Sequence, residues 1–382
     1  MKLKKLEVIL KITERCNINC DYCYFFNGKD ESFKIHPKCI SSKVLGDVVL
    51  FLKQGCIDYG VKLLQIDIHG GEPLLQKKEQ FGSMCALFYD SLADVTKVSI
   101  SIQTNATLID DEWIRLFERY RIQVGVSLDG PQFLNDQHRV DHKGNGTYHR
   151  ILKGLTLLSQ AALLNRIAPP GVLCVINPEY DSKMIYDHFT SDLKLQYLDF
   201  LFPDLTHDSL KDSSEPYGQF LCDIFDIWSA NDDPNIKIRT FEACIMAMLG
   251  SSPMVSGFGK AAPKDEYVAL TIASNGDLAP EDSYRSINPE YMQLGANVAS
   301  TTLKDFLSHP ILIFLDEELR KLPTGCQTCG WKNVCGGGSL VHRYNGETNS
   351  FDNRSVMCDG LKKLYKKVLD YLSKIQSHGH KP

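Results

Sequence analysis

Residues 15–26 read RCNINCDYCYFF, and the thiols at Cys16, Cys20 and Cys23 stand four and three residues apart behind the apolar run 8–10. The chain carries 13 cysteines in 382 residues. Random placement gives that spacing about 0.015 times per chain. Thiolates are soft ligands that suit iron–sulfur clusters or zinc, and a purely structural site takes four of them. Only three are local here. If they hold three irons of a 4Fe-4S cluster, the fourth iron is open to a small molecule, and a structural group becomes a catalyst. A zinc knuckle or buried thiols stand as the alternative on spacing alone.

Outward from that stretch, short β-rich runs alternate with longer amphipathic segments. Strands are expected at 6–13, 63–69, 97–103, 122–128, 171–176 and 197–202, with helices at 42–53, 110–119, 147–162 and 182–190 between them. Repeated βα units imply parallel strands with helices outside. Polar loops recur just after strand ends: the cysteine loop, His69-Gly70-Gly71-Glu72-Pro73, Gln103-Thr104-Asn105 and Ser127-Leu128-Asp129-Gly130. That placement favours a partial (β/α)6 TIM-like barrel over an open doubly wound sheet. Paired glycines serve a tight turn, and they also let backbone approach a ligand closely. Asn105 and Asp129 read equally as caps or turn formers.

The length and the 43% hydrophobic content allow one large domain plus a smaller one. A net charge of −5 spread along the chain gives no basic stripe for nucleic acid or an anionic membrane. No apolar run is long enough for a signal peptide or a membrane span, and so many cysteines outside a short secreted scaffold fit a reducing compartment, the cytoplasm. A helix at 217–230 stops at Asn231-Asp232-Asp233-Pro234, and another follows near 241–249. The tail His378-Gly379-His380 reads as solvated chain.

Downstream, Cys326-x2-Cys329-x5-Cys335 and Cys358 supply four thiols in a glycine-rich segment. Four ligands complete a closed metal site, and spacing leaves zinc and iron–sulfur both open.

The first triad, with Tyr22 as the aromatic residue, resembles the CxxxCxΦC motif of the radical SAM superfamily, in which S-adenosylmethionine chelates the open iron and is cleaved to a 5′-deoxyadenosyl radical. The resemblance implies cofactor contacts for Gly70, Gly71 and Glu72 at the methionyl amino group. It implies the same for Gln103, Ser127 and Asp129 at ribose and methionyl parts, for Arg139 at the carboxylate, where a two-pronged donor is suited, and for Asn105 as a further cofactor-binding residue. Together with the second cysteine set, the chain resembles radical SAM peptide maturases with a C-terminal cysteine-rich SPASM-type domain. The cysteines a full SPASM pattern places at Ser339 and Glu281 are absent, so the resemblance implies one auxiliary cluster on Cys326, Cys329, Cys335 and Cys358. Two 4Fe-4S clusters and about eight irons per chain follow.

The string CGGGSLVHRY at 335–344 is similar to the branch that builds three-residue cyclophanes, joining an aromatic ring carbon to the β-carbon of a residue two positions later. By that resemblance Asp282 is the base of the last step, while His342, Arg343 and Tyr344 support the cluster lobe. The implied partners are a precursor peptide with a leader sequence and an electron donor such as flavodoxin or ferredoxin. The implied organisation is a radical SAM core at 1–205, a bridge at 206–256, the auxiliary-cluster domain at 257–360, and a C-terminal helix and tail at 361–382. Formylglycine formation of the sulfatase-maturase kind, another radical crosslink, and a noncatalytic metal-binding scaffold are the competing readings.

Overall fold

The computed structural model describes residues 2–378 apart from 211, 254 and 256. Gly379 and His380 of the tail therefore lie outside the described residues. The chain divides into two compact units, Met1–Val172 with Pro263–Phe314 and Leu173–Ala262 with Leu315–Pro382.

In the first unit, strands β1 (Lys5–Thr13), β2 (Leu63–Gly70), β3 (Lys97–Thr104) and β4 (Gln123–Ser127) run parallel in that order. The expected parallel α/β architecture is present. Their side chains alternate between two kinds of face, as a strand's period of two requires. Leu6, Val8, Leu10, Leu64, Ile66, Ile68, Ile100 and Ile102 are all buried, and register sets Val8 beside Ile66 and Ile66 beside Ile100. Helix Lys78–Leu92 buries Phe81, Met84 and Phe88 and packs on β3. The opposite face is polar: Glu7, Lys11, Gln65, Asp67, His69, Ser101 and Gln103 occupy the alternate positions. Strands covered on both faces read as continuous apolar runs; this alternation leaves one face for chemistry.

Beyond the sixth strand the sequence reading of strands stops. The structure adds β7 (Lys237–Ile238), β8 (Tyr267–Ile272) and β9 (Leu278–Ala279) to the expected β5 (Gly171–Val175) and β6 (Tyr197–Leu201). Strand β8 lies parallel on the free edge of β1, with Val8 beside Leu270, and β9 turns back antiparallel to it. This return of the chain after residue 263 sets Asp282 above the first strand.

In the second unit β6 and β7 pair in parallel. Helices Glu215–Asn231 and Cys358–His378 pack together, with Phe225 against Phe241 and Tyr371 at centroid distances of 5.1 and 5.4 Å. Arg343 is fully buried there, donating from Nε to Phe351 O (3.0 Å) and from Nη1 to Glu318 O (2.9 Å). It fastens chain segments through their carbonyls. His342 meets Pro203 O at 3.1 Å, and burial pushes it down to about 4. Both are structural supports.

Candidate active site

The cysteine loop leaves β1 and is held by backbone on several sides. Cys23 N donates to Cys20 O, Asn27 Nδ2 to the same carbonyl (2.8 Å), and Asn19 N to Val140 O (2.7 Å). Cys16, Cys20 and Cys23 are free thiols whose charges act on one another. Burial pushes Cys16 up to about 12 and Cys20 up to about 11. Such thiols keep their protons until a metal displaces them. Among the described residues no three His, Cys, Asp or Glu side chains could hold a single metal ion. In a cubane each thiolate binds its own iron, so convergence on one point is not required. Three free, mutually close sulfurs, that of Cys20 buried and those of Cys16 and Cys23 half-buried, suit the group the resemblance implies.

The loop after β2 closes over the end of β1. Gly71 N donates to Thr13 O (2.9 Å) and Glu72 N to Arg15 O (2.8 Å). A Cβ on Gly70, whose φ is 134°, would run into Thr13 O, and one on Gly71 into Arg15 O. The glycines are there for close approach of two backbones. Glu72 accepts from Leu74 N (3.0 Å), Thr104 Oγ1 (2.7 Å) and Asn105 N (2.8 Å), tying this loop to the end of β3. Gly71→Ala is expected to push the loop off β1 and cut the iron retained at Cys16, Cys20 and Cys23 by more than half, read by iron analysis and visible absorbance of anaerobic protein.

Further round, Asn105 Nδ2 bonds Asn17 Oδ1 (2.9 Å) and lies 3.8 Å from Cys16 Sγ. Gln103 Nε2 donates to Ser127 Oγ (2.7 Å). Tyr22 donates through its hydroxyl to Asp129, and Arg139 Nη1 donates to that hydroxyl (2.7 Å). Arg139 Nε is buried with no hydrogen-bond partner among the described residues. An unsatisfied buried guanidinium nitrogen is costly, and a carboxylate-bearing ligand would relieve it.

The largest group missed by sequence reading surrounds Asp282. Lys11, 1% exposed, and Tyr24 both donate to its Oδ2. Arg285 Nη2 lies 3.4 Å from Oδ1, while Nη1 pairs with the buried Asp30. Lys11 Nζ also lies 3.1 Å from His69 Nδ1. Both cations face the Phe25 ring of the cysteine loop, Lys11 at 4.8 Å and Arg285 at 4.6 Å. Burial pushes the Asp282 carboxyl up, but the Lys11 charge and the two hydrogen bonds outweigh it, and the group sits below its ordinary value. Burial pulls the Lys11 ammonium down, opposed by Asp282. Burial and the Lys11 charge push His69 down to about 3, so the imidazole is neutral. One signal was available: a lysine inside the apolar run ILKIT is rarely buried without a partner.

In the second unit, Cys326, Cys329, Cys335 and Cys358 are free and act electrostatically on one another. Gly336, Gly337 and Gly338 follow at φ of 64, 95 and 83°, and Gly337 N donates to the Cys335 sulfur. Consecutive left-handed glycines point backbone N–H groups at one anion, which suits a thiolate. This donor set fits a four-ligand cluster.

Residues 10–173 match the model of the radical SAM superfamily. The chain is 27% identical to a serine-type anaerobic sulfatase-maturating enzyme of Bacteroides thetaiotaomicron, across 97% of this chain and 91% of that one. It is 25% identical to a cysteine-type anaerobic sulfatase-maturating enzyme of Clostridium novyi, across 97% of each. Its fold is similar to that of native anSMEcpe with bound AdoMet and Kp18Cys peptide, with a TM-score of 0.81, 22% identity and coverage of 98% and 99%. With three free thiols at the motif and the Nε of Arg139 left without a partner beside them, the part of the chain that matches the radical SAM superfamily model carries that family's site, and the chain is an enzyme that binds S-adenosylmethionine and an iron–sulfur cluster.

Proposed function

We propose that this enzyme modifies a ribosomally made precursor peptide, forming a three-residue cyclophane between an aromatic ring carbon and the β-carbon of a residue two positions later. The observation that carries the proposal is the ionised Asp282 held by Lys11 and Tyr24 beside the cysteine loop. When bound, S-adenosylmethionine and its cluster supply a carbon-centred radical that removes the β-hydrogen. Cys16, Cys20 and Cys23 would hold that cluster, and Gly70, Gly71, Gln103, Asn105, Ser127, Asp129 and Arg139 would seat the cofactor. Attack on the ring leaves an unpaired electron there, so restoring aromaticity releases one electron, which the auxiliary cluster would accept, and one proton, which Asp282 accepts. Tyr24, a donor to the same carboxylate, fixes which lone pair stays free.

Support for the crosslink comes from the sequence at 335–344 and from Ser339 and Glu281 standing where a full SPASM pattern has cysteines. In this reading Cys326, Cys329, Cys335 and Cys358 hold one auxiliary cluster in a cysteine-rich C-terminal segment, and a flavodoxin- or ferredoxin-like donor reduces the enzyme. No helix among the described residues is long and apolar enough to cross a membrane. The second reading, formylglycine formation, is favoured by full-length similarity to sulfatase-maturating enzymes. Its chemistry also ends in a deprotonation that Asp282 could serve.

One experiment separates them. The anaerobic enzyme is given S-adenosylmethionine, a strong reductant and either the Kp18Cys peptide or peptides carrying one Trp, Phe or Tyr with each other residue two places on. A loss of two hydrogens with fragmentation blocked across three residues is the expected result. A hydrazide-reactive aldehyde on Kp18Cys, with no crosslink in the aromatic set, overturns it in favour of formylglycine.

A further inference from the structure

Asp67 stands on the polar face of β2, two residues before His69, so the two side chains leave one face about 7 Å apart along the strand. Solvent reaches this level of the sheet. Glu7, Asp67 and Ser101 are half-buried, whereas Val8, Ile66 and Ile100 on the opposite face are inaccessible. The carboxylate is unevenly served. Ser101 Oγ and Gln65 Nε2 (2.9 Å) both donate to Oδ1, and among the described residues Oδ2 meets neither a donor nor a cation. The Lys5 ammonium, whose charge acts on Asp67, is paired with Glu7 and stands 5.3 Å from the Tyr267 ring. Burial and the Glu7 charge push the Asp67 carboxyl up, as they do where a carboxylate lacks a counter-charge. A second polar atom is unmet at the same level: register sets Ile9 between Asp67 and Thr271, and the fully buried Thr271 hydroxyl has no partner. Desolvating a carboxylate oxygen without a donor is costly, so the arrangement suits an occupant that brings donors of its own. Among the described residues no three His, Cys, Asp or Glu side chains could hold a metal ion. An ammonium or guanidinium needs only one carboxylate and carries several N–H groups.

We propose that Asp67 determines substrate specificity by receiving, at Oδ2, the ammonium or guanidinium of a lysine or arginine of the precursor peptide, and that this basic residue is the one crosslinked through its β-carbon. The proposal rests on the cyclophane reading of the site. Lys11 joins the two levels, since it donates to Asp282 and lies 3.1 Å from His69 Nδ1. His69 therefore marks the height of the base on β2, and Asp67 stands two strand positions away from it. That step is of the order of an extended lysine side chain, whose apolar stem carries the charge away from the backbone. In the crosslink the ring carbon and the β-carbon become bonded to each other, so both lie near the group that takes the ring proton. A basic residue seated there puts its terminal nitrogen at Asp67. A shorter or apolar side chain leaves Oδ2 unmet, and an acidic one adds a third like charge to those of Glu7 and Asp67. Selectivity arises from both the attraction and the repulsion.

The test gives the anaerobic full chain S-adenosylmethionine, a strong reductant and peptides carrying one Trp, Phe or Tyr. Two places on, each peptide has lysine, arginine, or one of their neutral isosteres, norleucine and citrulline. Mass spectrometry gives kcat and KM for the crosslinked product, and fluorescence anisotropy without reductant gives Kd. The lysine and arginine peptides are expected to exceed their isosteres at least tenfold in kcat/KM, with the difference in KM and Kd, as a charge-assisted hydrogen bond implies. Asp67→Asn keeps the volume and an acceptor for Ser101 and Gln65. It is expected to bring the ratio of basic to neutral peptide to about one, through weaker use of the basic peptides. The wild-type comparison needs no variant, so the test survives an Asp67→Asn protein that fails to fold. Crosslinks formed on all four peptides within about twofold of one another overturn the proposal and leave the cyclophane reading intact. A preference for the basic peptides that persists in Asp67→Asn overturns it too. No crosslink on any of the peptides overturns the cyclophane reading, and the proposal with it.

Discussion

Asp282→Asn is expected to lower modified peptide at least 100-fold while 5′-deoxyadenosine continues to appear. The asymmetry is the informative part. Hydrogen abstraction precedes the proton transfer, so removing the acceptor leaves the first step running and strands the second. A placed base contributes about 10²–10⁴ in rate, and the amide cannot take the proton. Asn preserves the volume and one acceptor oxygen, so Tyr24 and Lys11 retain a partner and the loop keeps its iron. Because Lys11 and the hydrogen bonds hold Asp282 below the ordinary carboxylate range, wild-type product formation is expected to stay flat as pH falls from 7 to about 5. A base with a value raised to about 6 would fade within that span. The ratio of 5′-deoxyadenosine to product, measured by liquid chromatography and mass spectrometry at several pH values, checks both statements. Equal loss of the two products in Asp282→Asn would move the residue from proton acceptor to cofactor positioning.

The parts of this site that are continuous in sequence were legible, and the parts made by topology were not. The thiols at 16, 20 and 23 announce themselves because ligand spacing is local, and the GGEP loop does so because two glycines in sequence are needed where the ends of β1 and β2 touch. The four parallel strands of the first unit were visible as βα alternation, and their ends moved by only a residue or so. Strand β8 was missed because its connection to the first unit runs through residues 173–262, which belong to another unit. No local pattern says that Tyr267–Ile272 will pair with Lys5–Leu10. That pairing brings Asp282 to Lys11, 271 residues away. Resemblance pointed to Asp282 alone; its ammonium, phenol and guanidinium partners come from separate segments, and only the fold assembles them.

Lys11→Met is expected to cost about 3–5 kcal/mol of stability, the range for breaking a buried ion pair by removing one partner. The lysine and Asp282 are both nearly inaccessible, so water cannot take the place of the lost ammonium. Arg285 does not substitute for it, since its shorter ion pair is to Asp30. The double variant Lys11→Met, Asp282→Asn is therefore expected to be more stable than Lys11→Met alone. It removes the charge that the single change leaves unpaired. The pH dependence follows with a definite sign. A carboxyl with a depressed folded value contributes stability that is present above its unfolded value of about 3.9 and is lost as pH falls through the folded one. Without Lys11, burial is the dominant influence on Asp282 and raises it, so this contribution changes sign and the acid limb of the stability profile moves to higher pH. Anaerobic urea unfolding followed by fluorescence of the buried Trp113 measures the loss. A Lys11→Met protein within about 0.5 kcal/mol of wild type, the range of an ordinary surface substitution, would mean that Arg285 and Tyr24 alone hold Asp282 ionised. In that case the polar face of β1 would matter for shape rather than for charge.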